Sequence, residues 1–407
     1  MNIAFINAVP YGSTGRILFQ LADAAKARGH NTLCTTGFTW VKVRREDTFI
    51  TSSIVEKTLH TYLARFTGRI GTFSRRATKR LLKKLDRFAP DVIHLHNLHG
   101  WFLNLPMLFD YIKEKNIRVI WTLHDCWAFT GHCPHFDMCG CEKWKTGCHS
   151  CSQHRLYPAS LKDASEEMYE KKRAWFCGVE NLTLVTPSHW LEGLVKQSFL
   201  KDYPTRTIHN GIDLSVFRPR TGKMTERFQN GARYTILGVS YAWDEKKGLD
   251  VFRSLAEELG ENYRILLVGT DENTRRDLPA NILTVDRTQN REELAELYTL
   301  ATVFVNPTRE ENYPTVNMEA IACGTPVITF ATGGSPEIPD EKSGESVEKN
   351  DVDALRLRIR AVCEGGLYPE ADCLSRAEAF DEKHCIDAYL SLYEGEGKHE
   401  RTATRRA

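Results

Sequence analysis

Two carboxylates eight positions apart, Glu311 and Glu319, flank a turn and the first turns of a predicted helix in the segment from Asn306 to Val327. The segment follows a predicted strand and opens a helix, which places it at the ligand edge of an open α/β sheet. Backbone N–H groups near Pro314, Thr315 and Val316 then lie at a helix N-terminus, a ready site for an anion. Carboxylates beside it accept hydrogen bonds from hydroxyls, whereas a phosphate would repel them. Phosphate held by backbone and hydroxyls held by carboxylates is the chemistry that a nucleoside-diphosphate sugar requires. The plain alternative for the glutamate pair is a solvated acidic helix start favoured by the dipole. The continuation into Gly324-Thr325-Pro326-Val327 weighs for the site.

Other residues of reactive type gather at predicted strand ends. His124-Asp125 ends a strand at a ligand edge, where a histidine either meets a ligand or caps the strand. His94, His96 and His99 sit at another strand end and suit packing and an acceptor cleft better than a metal. Gly12-Ser13-Thr14-Gly15-Arg16 has two glycines and is no dinucleotide fingerprint. It reads as a plain strand–helix turn or as a donor or acceptor contact through Gly12 and Arg16. A Cys- and His-rich insertion at 132–154 holds Cys133, Cys139, Cys141, Cys148 and Cys151. Cys148-x-x-Cys151 has zinc-pair spacing, and Cys133 with Cys141 would complete a closed, structural four-sulfur site. Free thiols in a loop are the alternative, and a catalytic zinc is disfavoured because no coordination position stays open.

The elements that must position these groups alternate between strand and helix. Ile3–Ile6, Asn31–Thr36, Val92–His94, Val119–Leu123 and Leu182–Thr186 are apolar strands of a first parallel sheet. After Asn210-Gly211 the alternation restarts with strands at Thr235–Val239, Arg264–Val268, Ile282–Val285, Val303–Val305 and Val327–Phe330. The reading is α/β, with two doubly wound domains: residues 1–200, residues 201–394, and a disordered tail at 395–407. The last helix, with Ala388, Tyr389 and Leu392, is expected to pack back on the first domain. Between Arg65 and Arg87 the charges Arg75, Arg76, Lys79, Arg80, Lys83 and Lys84 interleave with Leu81, Leu82 and Leu85. This reads as a basic amphipathic helix, either a solvated face or a contact with an anionic membrane.

Composition narrows the classes. The 407 residues exceed one comfortable core, and 42% hydrophobic with 26% charged residues is ordinary soluble usage. A net charge of +1 gives no global field for nucleic acid. The first residues read as a strand rather than a signal peptide, and no apolar run approaches the roughly 18 residues that span a bilayer. With twelve cysteines in such a chain, reduced thiols or metal ligands are expected, in the cytoplasm.

The segment around Glu311 and Glu319 resembles the signature of glycosyltransferase family 4, retaining transferases of GT-B fold with two Rossmann-like domains facing across a cleft. Asn210-Gly211-Ile212-Asp213, Lys247-Gly248-Leu249-Asp250 and Gly333-Gly334-Ser335-Pro336-Glu337 resemble further turns of that family. His94-Leu95-His96-Asn97, Thr122-Leu123-His124-Asp125-Cys126-Trp127 and the cysteine insertion resemble transferases of colanic-acid-type exopolysaccharide synthesis. The resemblance implies that Glu319 holds the ribose, Glu311 the donor sugar, and Lys247 the diphosphate, with amides near Thr315 and Val316. His124 would approach the donor sugar or acceptor. It also implies retention of configuration and an exopolysaccharide or lipopolysaccharide acceptor, lipid-linked at the inner face of the cell membrane. One departure stands out: Tyr241 occupies the place, six before Lys247, where such families often carry Arg. No metal is expected in catalysis, because the one Asp-x-Asp, Asp351-Val352-Asp353, reads as a helix cap. A sugar-nucleotide epimerase of the same fold and a zinc-containing scaffold protein are the competing classes.

Overall fold

The computed structural model describes residues 1–395 apart from 41, 42, 44, 230 and 277. The expected tail therefore lies outside the described residues, save Gly395. The chain divides into two compact units, one of Met1–Phe136, Gly140–Ile208 and the residues from Ile386 onward, the other of Asp137–Cys139 and His209–Cys385.

In the first unit β1 (Asn2–Asn7) leads through α1 (Gly12–Ala27) to β2 (Asn31–Thr36) and a short β3 (Thr48–Ile50). Two helices follow, α2 (Ile54–Thr67) and α3 (Arg75–Phe88), then β4 (Val92–Leu95), α4 (Leu105–Lys115) and β5 (Arg118–Thr122). After the long insertion come α5 (Ser165–Phe176), β6 (Leu182–Thr186), α6 (His189–Val195) and β7 (Thr205–Thr207). All seven strands are parallel, in the order β3-β2-β1-β4-β5-β6-β7. Ile3 to Ile6 are fully buried, as a parallel strand covered on both faces demands.

Three sequence expectations are corrected here. The boundary falls at Ile208 rather than at 200, because β7 pairs with β6 and extends the first sheet. The second domain does not run to 394, since the residues from Ile386 belong to the first unit. The basic stretch from Arg65 to Arg87 is not one helix. Gly68, at φ 73, caps α2 in the left-handed conformation, and α3 starts only at Arg75. Its Leu81 and Leu85 are fully buried in the core, so its amphipathic pattern is spent on folding.

The second unit runs through α7 (Lys223–Phe228), β8 (Tyr234–Val239), α8 (Leu249–Glu258), β9 (Tyr263–Val268), α9 (Glu272–Arg276) and β10 (Ile282–Val285). It continues with α10 (Arg291–Leu300), β11 (Val303–Asn306), α11 (Thr315–Ala322), β12 (Val327–Phe330) and β13 (Gly344–Val347). Its closing helices are α12 (Val352–Gly365) and α13 (Glu370–Ala377), and α14 (Glu382–Glu394) starts in this unit but from Ile386 belongs to the first. Its six parallel strands are ordered β10-β9-β8-β11-β12-β13. Alternate residues feed two cores: Ile236, Ile265 and Val305 belong to one, Leu237, Leu266 and Phe304 to the other. The order reverses between β8 and β11 here, and between β1 and β4 in the first sheet. Crevices at such switch points hold ligands.

Candidate active site

At the switch point of the second sheet three turns lock together. The turn after β8 is a 3₁₀ turn, Glu245–Lys247, capped by the Asp244 carboxylate, which accepts from Lys247 N at 3.0 Å. Gly248 follows at φ +74, and a Cβ there would lie 2.5 Å from Pro307, so the lysine turn rests directly on the signature turn. From the other side, a Cβ on Gly333 would stand 1.9 Å from the Glu311 carbonyl oxygen, and Gly334 N donates to Asn312 O at 2.7 Å. Arg309 stitches the first two turns: its N–H donates to Lys246 O at 2.7 Å, and its guanidinium forks onto Asp250 with two bonds of 2.7 Å.

This scaffold aims charge at one place. Lys247 Nζ lies 2.9 Å from Glu311 Oε2 and 3.4 Å from Thr308 Oγ1. Burial works to lower the ammonium pKa, but the Glu311 carboxylate overrides it, and the net direction is upward. Lys247 is therefore a fixed cation. The neighbouring Lys246 pairs with Glu310 at 2.8 Å. α11 begins at Thr315 after Pro314, with no side-chain cap on its first turn. Glu319 is 6% exposed, and its carboxylate accepts from the buried Tyr298 hydroxyl at 3.1 Å. Burial and then Glu319 push that phenol well above its usual range, so Tyr298 stays a donor.

Asn210 enters a turn clasped by the returning chain. A Cβ on Gly211 would lie 2.3 Å from Glu382 Cα, and Ile212 exchanges bonds with Phe380 O at 2.8 Å and Glu382 N at 3.0 Å. Two residues that the sequence reading passed over join this unit's edge. His209 stacks on Tyr313 with ring centroids 4.8 Å apart. Arg287, just after β10, sets its guanidinium 4.4 Å from the centroid of the exposed Tyr241 ring. A cation thus reaches position 241 from another strand, where no spacing rule would have found it.

The ligand edge of the first sheet is built largely on histidines. Asn7 ties the turns after β1 and β4 together, donating to Val9 O at 2.9 Å and accepting from Asn97 N at 3.2 Å. Gly12 starts α1 at φ +71, and a Cβ on Gly15 would lie 2.5 Å from the Pro10 carbonyl carbon. Arg16, on α1, has no carboxylate partner among the described residues. His124 Nε2 meets His96 Nδ1 at 3.0 Å, their rings stacked at 13°. His94 bonds Tyr393 at 2.7 Å and Thr122 at 2.8 Å, and Thr122 bonds Tyr389 at 2.9 Å. Burial lowers His124 to about 4 and His94 to about 3, so both are neutral imidazoles near pH 7. His99 holds Asp125 at 3.0 Å.

In the insertion Cys133 is buried, while Cys141, Cys148 and Cys151 are half-buried. Among the described residues no three of these sulfurs lie within 4.8 Å of one another, so the expected four-sulfur set is not drawn closed. Asp351 caps α12, accepting from Ala354 N at 2.8 Å.

Comparison with known proteins agrees with this geometry. Residues 14–216 match the model of Glycosyltransferase Family 4, and residues 233–364 match that of Glycosyl transferases group 1. WcaC of Escherichia coli (strain K12), assigned to colanic acid biosynthesis as a glycosyl transferase, is 26% identical over 327 residues. That match covers 77% of this chain and 79% of WcaC. Among solved structures, sucrose-phosphate synthase from Thermosynechococcus elongatus superposes with a TM-score of 0.69 at 19% identity, covering 97% and 98% of the two chains. Anabaena HepE in complex with UDP gives 0.64 at 14% identity, covering 97% and 100%. One transferase model on each unit, and the same fold over the whole length, agree with what the two glutamates and the lysine turn implied: the chain belongs to glycosyltransferase family 4 and is a glycosyltransferase of GT-B fold.

Proposed function

We propose that the chain moves a hexosyl unit from a nucleoside-diphosphate sugar to a lipid-linked saccharide acceptor of exopolysaccharide or lipopolysaccharide assembly, with retention of configuration. The observation that carries this is Lys247 held against Glu311 beside the uncapped start of α11, with Glu319 buried on that helix. Lys247 and the first-turn N–H groups near Thr315 and Val316 meet the diphosphate, Glu311 a sugar hydroxyl, and Glu319 the ribose. The acceptor hydroxyl oxygen attacks the anomeric carbon from the face the diphosphate leaves. The bond from that carbon to the phosphate oxygen breaks, and the departing oxygen takes the acceptor's proton. Neutral His124 serves as a hydrogen-bonding group to sugar or acceptor. The name of WcaC supports the exopolysaccharide class, and UDP in HepE makes uridine the first base to test. The test is a donor panel with and without acceptor, the product read by NMR in excess EDTA. A retained anomeric centre is expected. Inversion, restoration by magnesium, or conversion of donor without acceptor would each overturn the reading.

Membrane association is supported by α2 rather than by the leucines of α3. Val55, Leu59, Tyr62 and Phe66 are 71%, 57%, 59% and 62% exposed and fall on one stripe of α2. The basic α3 lies beside it, joined by Arg80 to Glu56 at 3.0 Å, with Arg75, Arg76, Lys79 and Lys83 exposed. An apolar stripe rimmed by cations fits an anionic bilayer surface. No helix among the described residues is long and apolar enough to cross one. Flotation with vesicles containing phosphatidylglycerol should carry the protein up, and Leu59→Ser with Phe66→Ser should release it. Equal flotation of the double variant would refute the assignment.

A further inference from the structure

Residues 123–164, between β5 and α5, contain only two short 3₁₀ turns, Trp127–Phe129 and Lys143–Lys145. A segment this long without regular structure needs something else to fix it. Part of the answer is aromatic: Trp144 is buried between Phe129 and Phe136, with centroids 5.3 and 5.0 Å away. The rest converges on sulfur. Gly131 is pinned where a Cβ would lie 2.1 Å from Ser165 O and 2.8 Å from Cys148 Cβ. Its N–H consequently points at Cys148 Sγ, 3.1 Å away. Cys151 N is held by Asp163 at 2.7 Å, Cys133 O by Thr130 at 2.6 Å, and Cys141 O by Trp144 Nε1 at 2.9 Å.

Next to these thiols sits Lys172 of α5, 1% exposed. Its ammonium donates to Trp127 O at 2.7 Å and Thr130 O at 2.9 Å and lies 3.4 Å from the Trp127 ring centroid. Among the described residues it has no ion pair with a carboxylate. The one carboxylate among them that acts on it is Asp125, which is already bonded to His99. A buried ammonium without an anion is costly. Four thiolates on one divalent ion would carry a net charge of −2 and supply that anion.

We infer that Cys133, Cys141, Cys148 and Cys151 bind one structural zinc ion, and that Lys172 is the buried counter-charge of the zinc–tetrathiolate group. Closing the set asks the sulfurs to draw together, since no three now lie within 4.8 Å among the described residues. Each thiol that is still protonated gives up its proton as the ion binds. Exposed Cys139 takes no part and serves as the control.

The experiment uses the full chain purified without chelator. Elemental analysis should find one zinc per chain, retained in Cys139→Ser and lost in Cys148→Ser. Should the latter not fold, cobalt titration of the native chain after zinc removal replaces it. Intense thiolate-to-cobalt bands and metal-dependent protection of Cys141, Cys148 and Cys151 from alkylation are then expected. Lys172→Met should weaken cobalt binding by about tenfold or more, as loss of an outer partner does. A chain free of zinc that shows no cobalt bands overturns the metal site. Unchanged cobalt affinity in Lys172→Met overturns the counter-charge.

Discussion

At the ligand edge of the second sheet Lys246 and Lys247 pair with Glu310 and Glu311 at 2.8 and 2.9 Å. At the same edge of the first sheet, His94, His96 and His124 are joined to Tyr393, Thr122 and each other. The second edge holds permanent charge on turns braced by glycines. Beside the Asp125 carboxylate, the first edge presents neutral imidazoles, because burial has pushed His94, His96 and His124 out of their titrating range. A diphosphate suits the former, where a fixed cation stands beside preorganised backbone N–H groups. A sugar hydroxyl can be met by the latter as well as by a carboxylate, since it brings no charge of its own.

The contrast predicts unequal losses. Lys247→Ala removes the fixed cation and should cut kcat/KM by about a thousandfold. A fall confined to KM would mean that the lysine binds donor and leaving group alike. Glu319→Gln should weaken nucleoside-diphosphate binding by about tenfold to a hundredfold in calorimetry, the worth of a charged hydrogen bond. Glu311→Gln should leave that binding nearly unchanged while turnover falls. If the two variants behave alike, the two carboxylates do not divide ribose from sugar.

The neutral edge should show itself in pH. His94 and His124 resist protonation when folded, whereas an unfolded histidine titrates near 6.5. Their contribution is complete above pH 6.5 and drains away as pH falls toward 4, by about 1.4 kcal/mol per pH unit for each. Denaturant unfolding followed by tryptophan fluorescence at pH 7.5 and pH 5 checks this, and equal midpoints would contradict it. The smallest effect is expected from Tyr393→Phe. It strips the His94 imidazole of a partner at 2.7 Å and should cost about 1 kcal/mol.

Which parts were legible in the sequence follows the same division. Glu311, Pro314, Thr315 and Glu319 are neighbours in the chain, so turn chemistry and spacing exposed them together. The long apolar strands were equally plain. β3 and β13 were not seen, because Thr48–Ile50 and Gly344–Val347 are short edge strands with little apolar pattern. The Tyr393–His94 bond joins residues 299 positions apart, which no local period encodes. Arg287 over Tyr241 is a meeting of two strand ends. The basic period of α3 was read correctly as amphipathic, but only packing decides that its leucines turn inward and that α2 shows the apolar face.

The Lys247–Glu311 pair has a kinetic corollary. With no donor bound the lysine and the glutamate satisfy each other, so the resting site already holds an internal substitute for its substrate. On the proposed roles, an arriving donor takes the lysine with its diphosphate and offers the glutamate a sugar hydroxyl. The spent nucleotide brings no donor-sugar hydroxyl, so Glu311 then keeps its bond from Asn312 N at 3.1 Å without the lysine's. On the same roles, re-forming the pair favours release of the product.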